Sequence, residues 1–172
     1  MIIAESSNNL KIEIIKKLNE SDLGQIIQLS KELEIIFGNN SSFNSINIKK
    51  YFNINTYPFI ARHNDIIIGF IIGVPLEHFS SESWSHYDTN LGKENTIYTY
   101  TYLVTESYRE RGGYSKTLKM IYINWCKKQG YEFVSGHVKQ GISKQFPNTN
   151  VIKKFPKWYN SSFPFEYYRR TL

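Results

Sequence analysis

A segment near the middle of the chain constrains the fold most, because a strand pattern, a glycine turn, a helix pattern and a second strand pattern follow one another there. Residues 97–104 (IYTYTYLV) alternate β-branched and aromatic residues, as a strand does. The helix pattern that follows has apolar residues at helical spacing: Leu118, Ile121, Tyr122 and Trp125. It ends at Gly130, and residues 131–138 (YEFVSGHV) form the second strand pattern. This order predicts a βαβ unit, in which the two strands are parallel and the crossover is right-handed.

The turn of this unit, RERGGYS at residues 109–115, is suited to bind an anion. Its last amides belong to the first helical turn, where backbone N–H groups have no partner within the helix and the helix dipole is positive. Gly112 and Gly113 let the backbone bend and approach a ligand closely, and Arg109 and Arg111 add positive charge. The pattern predicts a phosphate or pyrophosphate site. An ordinary glycine turn with solvated arginines explains the same residues equally well.

The sequence before this unit predicts a strand, a helix and a hairpin. Residues 10–18 (LKIEIIKKL) have a strand pattern that follows a loose amino terminus. Residues 22–37 carry apolar residues at helical spacing behind Ser21, a good cap, and Gly38 stops the run. Residues 57–77 contain two apolar runs separated by His-Asn-Asp, a combination that is typical of a hairpin turn.

Length and composition indicate one domain that comprises residues 1–172. A chain of 172 residues with 41% hydrophobic content can bury one core, and no internal repeat or linker divides it. The longest apolar run, residues 66–74, has the length of a strand and is far shorter than the ~18 residues that a membrane helix requires. The amino terminus lacks the pattern of a secretion signal. We therefore expect a cytoplasmic protein with no membrane partner.

The cysteine and histidine residues give no sign of a metal centre. Cys126 is the sole cysteine, which excludes an intrachain disulfide and a cysteine-based metal site, and its apolar surroundings in the sequence predict a buried residue. The four histidines lack metal-ligand spacing, and we expect no metal. The net charge of +6 indicates attraction to an anion, and a nucleic acid, a membrane surface or a polyphosphate cofactor each fits it.

The order of elements resembles that of the GNAT acyltransferase superfamily. Its members have a strand, a loop with the pattern R/Q-x-x-G-x-G/A, a long helix, a parallel strand and then a helix that begins with asparagine. Residues 109–114 (RERGGY) match the arginine and the first glycine of the loop pattern. Residues 12–33 and 59–77 are similar to the opening strand and helix and to the hairpin of the family, and residues 148–155 (NTNVIKKF) resemble the asparagine-led helix.

The resemblance implies the fold, the chemistry and the ligands. It implies an α/β (α+β) fold with a mixed, mostly antiparallel central sheet, a central parallel strand pair and helices on both faces. It also implies an N-acetyltransferase with acetyl-CoA or a related acyl-CoA as co-substrate, and a small-molecule or peptide amine that attacks directly in a ternary complex. No nucleic-acid partner is implied, and a homodimer is one option for the assembly. The residues implied in cofactor binding are Leu103, Val104, Arg109, Glu110, Arg111, Gly112, Gly113, Tyr114, Ser115 and Asn148.

Two residues depart from the family pattern. Tyr114 stands where members have glycine or alanine, so its ring must either point outward, which we expect, or cover the pyrophosphate. Phe155 stands where many members have the tyrosine that protonates the leaving thiolate, and phenylalanine has no proton to give. We expect His137, or a water that it orients, as the base, and Tyr98 or Tyr159 as the acid. Each of these three also fits a packed ring whose polar tip is hydrogen bonded.

Two other functions remain open on the sequence. A non-catalytic acyl-CoA sensor or scaffold would explain the phenylalanine at position 155, because a fold does not guarantee chemistry. A nucleic-acid-binding module would explain the basic, tyrosine-rich chain, yet only Arg111 and Gly112 agree with the RNA-recognition strand motif. Tyr98, Tyr100 and Tyr102 would favour a cationic amine if they lined one site, and they also fit half-buried strand packing.

Overall fold

The computed structural model describes residues 1–110 and 112–172, and its strands form one eight-stranded sheet. The strands are β1 (Ile2–Glu5), β2 (Leu10–Ile14), β3 (Tyr57–His63), β4 (Ile66–Pro75), β5 (Thr96–Val104), β6 (Phe133–Lys139), β7 (Thr149–Phe155) and β8 (Phe165–Thr171). Their order in the sheet is β1-β2-β3-β4-β5-β6-β8-β7. Neighbouring strands are antiparallel except β5 and β6, which are parallel. The predicted βαβ unit and the mostly antiparallel sheet with a central parallel pair are confirmed.

Helices cover both faces of this sheet, as expected. They are α1 (Glu20–Ser30), α2 (Glu34–Phe37), α3 (Glu106–Arg109) and α4 (Tyr114–Lys128). Helix α4 buries Leu118, Tyr122 and Cys126 against one face, and the predicted burial of the cysteine is confirmed. Helix α1 lies on the other face, where Ile26 packs with Phe70 of β4 in a second apolar core. The alternation of side chains along β4 therefore supplies both cores.

Helix α1 begins at a different cap from the predicted one. The Oδ1 atom of Asn19 accepts a hydrogen bond from the Asp22 amide at 2.7 Å, so Asn19 is the N-cap. An N-cap residue precedes the helix with extended dihedrals, whereas Ser21 lies inside the first turn. The chain continues through a 3₁₀ turn, Lys31–Leu33, into α2. It stops, as predicted, at Gly38, whose φ of 86° is in the left-handed region that glycine adopts readily.

The hairpin of β3 and β4 is confirmed, and the amino terminus differs from the prediction. Asn64 and Asp65 at the hairpin turn have φ values of 50° and 62°, the pair of positive values that a type I′ turn requires. The amino terminus is not loose, because Ile2–Glu5 pairs with β2 as an edge strand. Ile3 and Ala4 pack against the core on the α4 side, and this burial favours the pairing.

Strand β5 contains a β-bulge that changes which side chains face each side of the sheet. Thr99 and Thr101 lie opposite consecutive residues of β4, so Tyr100 is an extra residue on β5. Strict alternation would place Tyr98 and Tyr102 on one face. Instead Tyr102 packs on the α4 side, and Tyr98 belongs to a small core on the opposite side. The three alternating tyrosines of this strand therefore do not line one site.

The parallel strands β5 and β6 separate halfway along their length. Their pairing ends with Thr99 opposite Gly136. Beyond this point β5 continues along β4, and β6 continues along β8. We call the opening between residues 100–104 of β5 and residues 137–139 of β6 the strand gap. It exposes the backbone edge of β5 to a ligand.

Residues Thr149–Phe155 form a strand, so the prediction of an asparagine-led helix is wrong. Strand β7 pairs with β8 along its length and ends directly before Pro156. Three of its seven residues are β-branched, and the edge of β8 supplies ladder hydrogen bonds that a helix would not use. Asn148 precedes the strand with a φ of 55°, which asparagine tolerates in turns. The helix that suggested a cofactor role for Asn148 is therefore not formed.

Candidate active site

Two cavities meet at the strand gap from opposite faces of the sheet. The larger cavity, with a volume of about 740 Å³, lies on the face opposite α4. The smaller cavity, with a volume of about 330 Å³, lies between α4 and the strands β6 and β8. Four residues line both of them: Phe37, Tyr100, Thr101 and His137. A ligand that lies in the strand gap would therefore contact both cavities.

The turn between β5 and α4 contains two successive residues with left-handed backbone. Gly112 and Gly113 have φ values of 61° and 68°, and Gly113 is the residue that precedes α4. Both positions therefore need a left-handed backbone, which explains the glycine pair. A Cβ on Gly112 would overlap the ring of Tyr114, whereas a Cβ on Gly113 would meet open space. Arg111, an expected cofactor contact, lies outside the described residues.

Arg109 holds this turn in place. Its Nη2 atom donates to Glu32 Oε2 at 2.8 Å, and its Nε atom donates to the backbone carbonyl of Val104 at 3.0 Å. Thr105 Oγ1 donates to the other Glu32 oxygen at 2.8 Å. The end of β5 is thus tied to the segment after α1. Since the guanidinium of Arg109 has these partners, it positions the loop. Glu110, the next residue, is exposed.

The first residues of α4 pack against neighbouring aromatic residues. The ring of Tyr114 lies 5.2 Å from the ring of His63 and 5.5 Å from the ring of Tyr108, measured between centroids. Its ring therefore does not extend into solvent. The hydroxyl of Tyr102 donates to the carbonyl oxygen of Ser115 at 2.8 Å, and it also contacts the Ser115 hydroxyl. This pair joins the strand gap to the start of α4.

The edge of β5 that faces the strand gap has backbone groups that can pair with a ligand. The Thr105 amide donates to the Ile68 carbonyl of β4 at 2.9 Å. Because successive amides of a strand point in opposite directions, the Val104 amide points toward the strand gap. Leu103 is buried in the core on the α1 side, and its backbone faces β4. Of the two predicted contacts on this strand, Val104 is thus the one whose backbone faces the gap.

His137 and Tyr98, two of the predicted catalytic residues, form a buried pair. The Nδ1 atom of His137 lies 2.9 Å from the Tyr98 hydroxyl, and the two side chains line the larger cavity. Burial lowers the pKa of His137 well below its usual value of 6.5 and raises the pKa of Tyr98 well above 10. The His137 ring stacks on Trp158 with 3.6 Å between centroids. Its Nε2 atom is buried with no hydrogen-bond partner in the described part of the chain.

Tyr159, the third predicted catalytic residue, lines the same cavity at a more exposed position. Its side chain is 65% exposed, and its hydroxyl donates to Glu82 Oε2 at 3.4 Å. Burial and the neighbouring carboxylate raise its pKa. Phe155, which the resemblance placed at the family tyrosine, is the last residue of strand β7, so that correspondence is lost with the predicted helix, and its ring packs against His137 with 5.4 Å between centroids. The structure thus brings the three predicted residues to one cavity, with Tyr98 and His137 inside and Tyr159 near its opening.

Sequence reasoning missed two contributors to this site. Thr101 lies at the bulge, is 6% exposed and has a hydroxyl with no hydrogen-bond partner among the described residues. Trp84, on a 3₁₀ segment between β4 and β5, packs against Tyr98 and His137. No motif marks either residue. The uninterrupted alternation of residues 97–104 hides the bulge, and the contacts of Trp84 join segments far apart in sequence.

Comparisons with known proteins agree with this arrangement. A model of the acetyltransferase (GNAT) family matches residues 27–143, more than half of the chain. The chain belongs to the acetyltransferase (GNAT) family. Enzymes of this family use acetyl-CoA as co-substrate, and the protein is accordingly an acyltransferase. A search of curated protein sequences finds no match.

Solved structures share the fold at low sequence identity. Arabidopsis thaliana NAA60 in complex with a bisubstrate analogue has a TM-score of 0.68 and 17% identity, over 95% of this chain and 99% of that chain. A ribosomal-protein-alanine N-acetyltransferase from Brucella melitensis has a TM-score of 0.66 and 11% identity, over 94% and 99%. An aminoglycoside acetyltransferase from an uncultured soil metagenomic sample has a TM-score of 0.57 and 24% identity, over 78% and 80%. These likenesses establish the GNAT fold.

Among residues 1–110 and 112–172, no helix combines the length and apolarity needed to cross a membrane. The same residues contain no group of three or more His, Cys, Asp or Glu side chains arranged to hold a metal ion.

Proposed function

We propose that the protein transfers the acetyl group of acetyl-CoA to an amine by direct attack in a ternary complex. The observation that carries this proposal is the meeting of two cavities, one on each face of the sheet, at the strand gap. A thioester placed in the gap would be open to an acceptor from the larger cavity. The remainder of the cofactor would occupy the α4 side. Donor and acceptor would then meet without a covalent enzyme intermediate.

The residues around the strand gap fit acetyl-CoA. The pantetheine arm contains amides, and the gap-facing edge of β5 near Val104 offers backbone groups that would pair with them as a neighbouring strand does. The pyrophosphate would lie on the first amides of α4, which begin after Gly113. Ser115 belongs to this first turn and is held by Tyr102. The left-handed glycine pair and the free strand edge are thus two independent features that suit one ligand.

The reaction requires one bond to form and one to break. The amine nitrogen attacks the thioester carbonyl carbon, the C–S bond breaks, and the products are an amide and CoA. The amine reaches the site as an ammonium ion and must first lose a proton, and the departing thiolate gains one. A donor at the strand gap would stabilise the negative charge that develops on the carbonyl oxygen. The gap-facing amide of Val104 and the Thr101 hydroxyl are two candidate donors.

We assign the proton transfers to His137 and Tyr98. The lowered pKa keeps the His137 ring neutral, so a nitrogen lone pair is available, and it also makes a long-lived imidazolium unfavourable. His137 therefore suits a relay that passes the proton of the ammonium to water. The raised pKa of Tyr98 keeps its hydroxyl protonated as a proton source for the thiolate. Tyr159 is the alternative acid, and its 65% exposure makes it the weaker candidate.

The larger cavity would take the amine acceptor. Its volume of about 740 Å³ suits a small molecule or the first residues of a peptide. Aromatic side chains form much of its wall, and Tyr51 and Tyr100 stack there with 3.7 Å between centroids. Glu82 is the one carboxylate among the described lining residues. Ring faces and this carboxylate would favour a cationic amine over an anionic acceptor.

The test is acetyl transfer measured by thiol release from acetyl-CoA, with the acetylated product identified by mass spectrometry. The acceptor panel contains aromatic amines, aliphatic monoamines, polyamines and peptides with free amino termini. We expect an acetylated product for at least one class, and stabilisation by acetyl-CoA in a thermal unfolding assay. Ligand at about 100 times its Kd should add about 2.7 kcal/mol to the free energy of unfolding. Stabilisation without product from any class would favour the sensor or scaffold instead.

A further inference from the structure

The smaller cavity contains positive charge without matching negative charge. Among the described residues that line it, Lys119, Lys139 and Arg170 are cationic, and none is Asp or Glu. Both lysines lie over aromatic rings, with 3.6 Å from the Nζ atom to the centroid of Phe146 for Lys119 and of Phe163 for Lys139. Lys119, on α4, differs from Lys139 in that the charge of Arg170, on β8, also acts on it.

Lys119 and Arg170 are close enough to repel each other. Lys119 is half-buried, and its Nζ atom lies 3.6 Å from the centroid of the Phe146 ring. Burial, and to a lesser extent the charge of Arg170, lower the pKa of Lys119 to about 8. Two like charges that face one cavity are unfavourable unless an anion joins them.

Arg170 also carries a donor that lacks an acceptor. Its Nε atom is buried and has no hydrogen-bond partner in the described part of the chain. A buried N–H of a charged group without an acceptor costs more than a neutral one, so its presence calls for an explanation. An anion held between the ammonium and the guanidinium would satisfy the donor and remove the repulsion together.

We propose that Lys119 and Arg170 form an anion subsite in the smaller cavity, which binds a second anionic group of acyl-CoA, apart from its pyrophosphate. This inference rests on the proposed binding of acyl-CoA at the strand gap. Lys119 lies five positions beyond Tyr114, about 7.5 Å along the helix axis, and is therefore past the amides that would hold the pyrophosphate. Two groups have the required chemistry: the 3′-phosphate of CoA, and a carboxylate at the end of a dicarboxylic acyl group such as succinyl.

The experiment measures the Kd of four ligands by calorimetry: CoA, dephospho-CoA, acetyl-CoA and succinyl-CoA. The variants are Lys119→Met, Lys119→Arg and Arg170→Gln. Lys127→Met serves as the control, because it removes one charge from an exposed position on the same helix. Circular dichroism and the unfolding midpoint show whether each variant is folded. If one of the two neutralising variants does not fold, the other still tests the subsite.

We expect Lys119→Met and Arg170→Gln to raise the Kd of each ligand that carries the second anionic group by about tenfold or more, because each variant loses a charge-assisted hydrogen bond. Lys119→Arg and Lys127→Met should bind it within about twofold of the wild-type Kd. Weaker binding of CoA with unchanged binding of dephospho-CoA would assign the 3′-phosphate. Weaker binding of succinyl-CoA with unchanged binding of acetyl-CoA would assign the acyl carboxylate.

If each of the four ligands binds the wild type and both neutralising variants with the same Kd, the subsite is overturned and the proposed function remains intact. Absence of binding of all four ligands to the wild type would overturn both. The subsite would also be overturned if Lys127→Met reduced the affinity for all four ligands as much as the two neutralising variants do, because general charge attraction would then explain the effect.

Discussion

His137 and Tyr98 lie on the two parallel strands of the sheet, and the Nδ1 atom of the histidine is 2.9 Å from the tyrosine hydroxyl. The pair lies at the inner wall of the larger cavity, where Trp158 stacks on the imidazole ring. The pair couples a titratable ring to a phenol, and the two residues are 8% and 5% exposed. Stability and catalysis should therefore respond to these residues in different ways.

The first prediction concerns pH-dependent stability. Burial holds the pKa of His137 well below 6.5 in the folded protein, whereas the ring titrates near 6.5 in the unfolded chain. Below this pH the unfolded state binds a proton that the folded state does not. The free energy of unfolding should therefore fall with decreasing pH, by at most about 1.4 kcal/mol per pH unit for this one group.

His137→Gln should remove this component of the pH dependence. Urea unfolding of the variant, measured on both sides of pH 6.5, should show a shallower decline than the wild type. His86→Gln, at an exposed position, is the matched control and should keep the wild-type slope. Parallel curves for wild type and His137→Gln would contradict the prediction.

The second prediction separates the two tyrosines proposed as acid. Tyr98→Phe removes the hydroxyl that contacts His137 and should lower kcat by about a hundredfold or more. Tyr159→Phe removes a mostly exposed hydroxyl beside Glu82 and should change kcat by about twofold at most. Steady-state kinetics at several pH values give both numbers. The reverse order of effects would assign the acid to Tyr159.

The third prediction tests the proposed pyrophosphate site through charge alone. Gly112 is a poor position for this test, because any side chain there would overlap the Tyr114 ring. Gly113 faces open space, and its φ of 68° is one that Asn and Asp tolerate. Gly113→Asp and Gly113→Asn have nearly the same shape and differ in one negative charge. We expect CoA to bind Gly113→Asp about tenfold or more weakly than Gly113→Asn.

Isothermal titration of CoA into the two Gly113 variants supplies the comparison. The unfolding midpoints should agree within a few degrees, since both side chains are accepted before a helix. Equal Kd values for the two variants, with both folded, would show that the pyrophosphate does not lie at this turn.

The sequence predicted elements that depend on neighbouring residues better than features that depend on contacts between segments far apart in sequence. The hairpin at Asn64 and the helix that ends before Gly130 depend on local turn chemistry and spacing, which a single sequence contains. The bulge at Tyr100 depends on packing. A Cβ at Gly73 would lie 2.9 Å from the ring of Tyr122, so the bulge forms opposite a close approach between β4 and α4.

The carboxyl-terminal region shows the same limit. The run that begins at Asn148 fits a family helix by its first residue, yet its structure is decided by the edge of β8, which offers a complete hydrogen-bond ladder. The candidate site was predicted in part. His137, Tyr98 and Tyr159 line one cavity, as the sequence predicted. Thr101 was not predicted, because a threonine within a strand pattern has no distinguishing signal and the bulge that sets its orientation cannot be recognised from the sequence.

The last prediction concerns Thr101, a residue that lines both cavities. This hydroxyl is buried and has no hydrogen-bond partner in the described part of the chain, so a bound thioester oxygen or sulfur would satisfy it. Thr101→Val keeps the shape and removes the donor. It should lower kcat by about tenfold to a hundredfold, with the Kd of CoA and the unfolding midpoint unchanged or improved.

Thr101→Ser is the matched control, because it keeps the hydroxyl and loses a methyl group. It should retain most of kcat and lose about 1 kcal/mol of unfolding free energy. The two variants thus exchange their effects: one reduces catalysis and spares stability, and the other does the opposite. A serine variant as slow as the valine variant would attribute the loss to altered packing at the bulge. A valine variant with wild-type kcat would show that the developing charge is stabilised without this hydroxyl, leaving the gap-facing amide near Val104 as the donor.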